Sequence, residues 1–182
     1  MIEDMQRLID RLWLVSWQRW ILIAVSVLAA TAATTFTALA AGNQTGVMVV
    51  LVVGLAIGAA ASPDSHTALA VEVLVVWHWL ASADEPTTVW VVPMAWCLLT
   101  FHTVIALMAV TPITADVDRA VLVRWSGRTA AVALAVGAMW ALVVAMDERD
   151  AAGNTALTML GFVTLTALVV ATRSRGGLTR QE

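Results

Sequence analysis

Residues 20–41 run for 22 positions without one charged side chain. A helix needs about 20 predominantly apolar residues to cross the hydrocarbon core of a bilayer. Five more apolar segments follow, at 46–61, 66–83, 89–110, 129–146 and 155–172, joined by short polar links. Backbone polar groups inside lipid must be satisfied within the segment, which leaves helices as the economical solution for runs of this length. The sequence therefore predicts an all-α, polytopic transmembrane bundle of six spans. Composition agrees: 60% of the chain is hydrophobic and 13% is charged, against roughly half and a quarter in soluble domains.

Arginine placement orients the bundle. All ten basic residues are Arg. Arg7, Arg11 and Arg19 precede the first span, Arg119, Arg124 and Arg128 follow the fourth, and Arg173, Arg175 and Arg180 follow the sixth. Six spans with both termini cytoplasmic put nine of the ten on the inner side, as the positive-inside rule requires. Arg149 alone falls outside, in the acidic stretch "DERD". The expected location is a bacterial cytoplasmic (inner) membrane. The second and third segments are short and separated by "SPDS". An alternative with the same arginine count keeps four spans and folds 46–83 into a re-entrant helical hairpin. Its tip, Asp64, Ser65 and His66, would then sit at membrane depth. The simpler reading of these three residues is an N-cap and turn.

Two segments are expected along the inner surface. In 1–19 the apolar Ile2, Met5, Ile9, Leu12, Trp13 and Trp17 recur at helical spacing, with charges on the other faces. That pattern predicts an amphipathic interfacial helix. Residues 112–128 form the second candidate, capped by Thr114 or Asp116, with Val117, Val121 and Trp125 on its apolar side. The membrane domain occupies 20–172, and 173–182 is a basic cytoplasmic tail. Gly54 and Gly58 form a GxxxG pattern, a helix-packing signal in apolar segments. Trp79 and Trp90 are expected in an aromatic belt, and Trp77 and Trp96 between helices.

The polar residues inside apolar runs are the candidates for function. "VEVLVVWHWL", residues 71–80, carries Glu72 and His78, and the next span carries His102. Ionisable groups at membrane depth are rare and usually paired in the bundle interior. Counted from the link between the third and fourth spans, Glu72 and His102 differ in depth by about 3 Å. They are the expected pair, as a buried register contact or as a proton or ion site. His78 lies six residues from Glu72, about 240° around the helix, and so on another face. His78 and His102 lie on different spans and at different depths, which leaves a tilted bis-His haem b site as a further reading. The sequence presents no metal motif, nucleophile elbow or phosphate loop. A net charge of −3 offers no basic surface for nucleic acid. The single Cys97 sits in an apolar run and forms no disulfide framework.

The stretch "PDSHTALAVEVLVVWHWL", followed by a His-bearing span in an Ala-, Val- and Arg-rich chain, resembles small actinobacterial integral membrane proteins. Some of these accompany MoxR-type AAA+ ATPases. The resemblance covers most of the chain in its organisation. It implies an accessory membrane component without its own catalysis, and assigns no binding residue. The leading expectation is thus a non-enzymatic membrane subunit or scaffold that meets other membrane subunits or further copies of itself. The alternatives are a small proton- or cation-coupled transporter or channel using Glu72 and His102, and a haem b electron carrier. No other cofactor is expected.

Overall fold

The computed structural model describes residues 16–42, 46–85 and 88–147, with only the backbone of 146 and 147. Five helices occupy them: α1 Trp17–Ala41, α2 Gly46–Ala61, α3 Thr67–Ser82, α4 Val91–Val110 and α5 Arg119–Asp147. The described residues contain no strand. Three of these helices are long and apolar enough to cross a membrane, over Trp17–Ala41, Val91–Val110 and Arg119–Ala145. The apolar α2 and α3 are shorter, at 16 residues each. The predicted segment 155–172 and residues 1–15 of the expected amphipathic helix lie outside the described residues. The chain divides after Ala141 into two compact units, Met1–Ala141 and Leu142–Glu182. The helix packing up to Ala141 belongs to the first.

α1 is the central element and packs against α2, α3 and α4. Its composition explains why. Ser26, Ala29, Ala30, Ala33, Thr34 and Thr37 are all buried. Small residues let helix backbones approach closely where lipid supplies no hydrophobic force between helices. The hydroxyls need no outside partner: Ser26 donates to Ile23 O, Thr34 to Ala30 O and Thr37 to Ala33 O. Ser16 caps the start of α1 by accepting from Arg19 N at 3.3 Å. Gly42 ends the helix in a left-handed conformation (φ 62°), its N–H returning to Ala38 O. Against this small face α3 presents Val71, Val75 and Trp79, and α4 presents Phe101, Ile105 and Met108, all buried.

Some expectations change. The break expected near 128 is absent, because α5 runs unbroken from Arg119. Gly127 alone weakens that stretch, and a single helical Gly costs only about 1 kcal/mol. Asp118 opens the helix by accepting from Ala120 N at 3.0 Å, rather than Thr114 or Asp116. The tryptophans of α3 exchange roles: Trp79 is 3% exposed in the core and Trp77 is 69% exposed. The stripe 71–75–79 at four-residue spacing dictates this.

The GxxxG residues make little helix contact within the chain itself. Gly54 is exposed, and a Cβ built there would meet nothing within 4 Å. At Gly58 it would meet only the Thr67 side chain at 3.6 Å, an ordinary contact. The packed face of α2 is instead Val52, Ala56, Ala59 and Ala60. Gly54→Ala should therefore leave the fold intact or stabilise it by up to about 1 kcal/mol. Ala56→Leu, at a fully buried position, should cost about 1–3 kcal/mol by overpacking. Unfolding midpoints of the two variants in one detergent check the contrast.

Candidate functional site

Glu72 and His102 meet across α3 and α4, with Glu72 Oε1 2.9 Å from His102 Nδ1. His102 lies about 16 Å along α4 from Val91 and about 12 Å from Val110. The contact is therefore near the middle of a helix long enough to span a bilayer. With Glu72 ionised, Nδ1–H donates to Oε1; with Glu72 protonated, its O–H donates to Nδ1. The distance suits either arrangement.

The pair does not face the bundle interior. The His102 side chain is 64% exposed and that of Glu72 24%. This corrects the expectation of burial, and the reason lies in the helix periods. On α4 the positions Phe101, Ile105 and Met108 point into the core, which turns His102 outward. On α3 the core stripe through Val71 and Val75 leaves Glu72 at its edge. Exposed apolar residues border Glu72: Leu69, Val73 and Val76. The result is a polar pair set in an otherwise apolar flank.

His78 belongs to a different contact. Its Nδ1 is 3.0 Å from Ser82 Oγ, one turn on in α3. The α2–α3 turn is closed by Ser65, whose hydroxyl donates to Ser62 O at 2.6 Å and lies 2.9 Å from Thr67 Oγ1. His66 occupies the cap position of α3 without a side-chain capping bond. Asp64 is exposed. Asp64, Ser65 and His66 thus build a turn and assemble no nucleophile with a base. No group of three or more His, Cys, Asp or Glu among the described residues is placed to hold a metal ion.

Sequence reasoning misses one cluster. Arg19 is 7% exposed, and its Nη1 donates to Met108 O at 2.7 Å. Next to it, Gln18 Oε1 accepts from Val117 N at 2.7 Å, and Ser16 N donates to Ile113 O at 3.4 Å. The start of α1 therefore holds both the end of α4 and the connector to α5. The sequence does carry a signal for this. Pro112 stands four residues after Met108 and lacks the N–H that would continue the helical ladder to that carbonyl.

No protein-family model, curated protein or solved structure matches the chain.

Proposed function

We propose that this chain is a non-enzymatic subunit of a bacterial inner-membrane assembly, joined to a neighbouring membrane protein through the α3–α4 flank that carries Glu72 and His102. The observation that carries the reading is the exposure of His102 at mid-span, in contact with Glu72. An ionisable side chain at the bilayer centre costs about 2.5–3.5 kcal/mol on insertion scales. Pairing at 2.9 Å offsets part of that cost, but His102 Nε2 has no partner among the described residues. A polar group on a neighbouring subunit removes the remainder. The arginine distribution supports six spans with both ends cytoplasmic.

A second reading draws on the same contact. An acid and an imidazole 2.9 Å apart can pass a proton between them, which suits a small proton- or cation-coupled transporter. Proton-dependent flux abolished by Glu72→Gln, in protein that remains folded, would favour it.

The docking reading is tested by photo-crosslinking in native membranes. A crosslinker at Val73, exposed beside Glu72, should give a protein adduct of one defined mass. The same probe at Val50, exposed on α2, should give lipid adducts only. Lipid adducts alone from both positions would refute the docking face.

A further inference from the structure

We infer that the membrane protein docked on the α3–α4 flank offers His102 Nε2 an uncharged hydrogen-bond acceptor, an amide carbonyl or a hydroxyl on a spanning helix. This chemistry rests on the proposed docking face. Glu72 Oε1 and His102 Nδ1 stand 2.9 Å apart and share one hydrogen bond. Two states of the pair carry no net charge. In one, an ionised Glu72 faces an imidazolium, which has a proton on each ring nitrogen. In the other, a protonated Glu72 donates to Nδ1, so the proton of the neutral ring sits on Nε2. Both states leave Nε2–H as a donor. Nε2 is bare only when a neutral ring donates Nδ1–H to an ionised Glu72. That state leaves one uncompensated negative charge at mid-span, where apolar surroundings penalise a charge far more than a neutral group.

Depth and charge select the source of the acceptor. His102 lies about 12–16 Å along α4 from its two ends. Lipid glycerol and headgroup oxygens lie outside the hydrocarbon core, and water is absent from it. Neither reaches the ring. A second copy pressed on the same face offers no neutral acceptor beside the pair. The large exposed side chains of α3 there are Leu69, Val73, Val76, Trp77 and Leu80, and none of them accepts a hydrogen bond. A carboxylate on the neighbour would return a net negative charge to the cluster. The complement is therefore an uncharged acceptor carried at mid-depth by a helix of a different protein.

The α4 side of the flank admits such a helix closely. Ala95, Ala106 and Ala109 lie within about 40° of His102 around α4, and all three are partly exposed. Small side chains above and below the imidazole let a partner backbone approach. A short side chain such as Asn, Ser or Thr then reaches Nε2. A helical Ser or Thr donates to the carbonyl four residues back and keeps its oxygen free to accept. Thr34 and Thr37 of α1 donate in this way.

Two readouts on the full chain in its native membranes test this. With isotope-labelled histidine, nitrogen NMR of the wild-type assembly should find His102 Nε2 protonated, the signal being assigned by its loss in His102→Asn. A crosslinker at Val73 should capture an apolar peptide of another protein with Asn, Gln, Ser or Thr at mid-depth. Replacing that residue by Leu should weaken association about tenfold, equivalent to about 1.4 kcal/mol. His102→Asn still reaches Glu72 but extends no donor outward, and should weaken association as much. His102→Gln combined with Glu72→Leu carries an amide nitrogen near the place of Nε2 and should restore most of it. The wild-type spectrum keeps the test independent of how the variants fold. A bare Nε2 in an intact assembly, or a captured peptide whose facing group is charged, would overturn the acceptor and leave the docking reading standing. Adducts to lipid alone, to a second copy of the chain or to a bound quinone would overturn the docking reading and the inference with it.

Discussion

Replacing Arg19 by Met should destabilise the folded chain by about 2–3 kcal/mol, because a buried carbonyl then loses its charged donor. Met108 lies in the last turn of α4, where carbonyls have no partner within the helix. Pro112 cannot supply the missing N–H. The guanidinium 2.7 Å away is what satisfies the Met108 oxygen. Met keeps much of the apolar stem of Arg but donates nothing. Gln18→Leu is a useful comparison, since it removes a neutral acceptor from a half-buried N–H and should cost about 1 kcal/mol. Unfolding of both variants in a single detergent, by denaturant or heat, gives the ordering. Equal loss in the two would mean that the Arg19 charge contributes nothing special.

The second large effect separates folding from assembly. The double substitution Glu72→Met, His102→Leu should raise the stability of the isolated chain and abolish its association. Exchanging a desolvated acid–base pair for apolar residues of similar volume is often neutral or stabilising, by about 1–4 kcal/mol where the pair is charged. The flank around the pair is already apolar at Leu69, Val73 and Val76, so the substituted face would suit lipid. A partner that donates to or accepts from the pair would then be left with an unsatisfied polar group in hydrocarbon, at a cost of several kcal/mol. His102→Leu alone should be worse for stability than the double variant, since Glu72 would lose the imidazole that stands 2.9 Å from its carboxylate. Stability of the purified chain and yield of the assembly are the two readouts. Their movement in opposite directions is the expected signature.

Helix placement is largely readable in the sequence because lipid imposes long apolar runs with polar ends. The segment 46–61 coincides with α2, and 66–83 differs from α3 by one residue at each end. Span counting brings Glu72 and His102 to one depth, and they lie 2.9 Å apart. Depth follows from residue number alone. Rotation about the helix axis does not, when nearly every side chain is apolar on all faces. This is why the sequence misplaces Trp77 and Trp79 and turns His102 inward. In water the apolar stripe of a helix marks its core side, but lipid and core are equally apolar. In α1 the useful signal is size rather than polarity: its buried positions are mostly Ser, Ala and Thr. The Arg19–Met108 tie is hidden for another reason. It joins residues 89 positions apart, and only the placement of two helix ends brings them together.

Whether the chain is a subunit is decided by the native mass of the protein purified in mild detergent from its own cells, with every component identified. The expected result is a defined assembly containing another membrane protein at fixed stoichiometry, lost when Glu72 and His102 are replaced together. A lone chain of unchanged mass, with or without the pair, would contradict it.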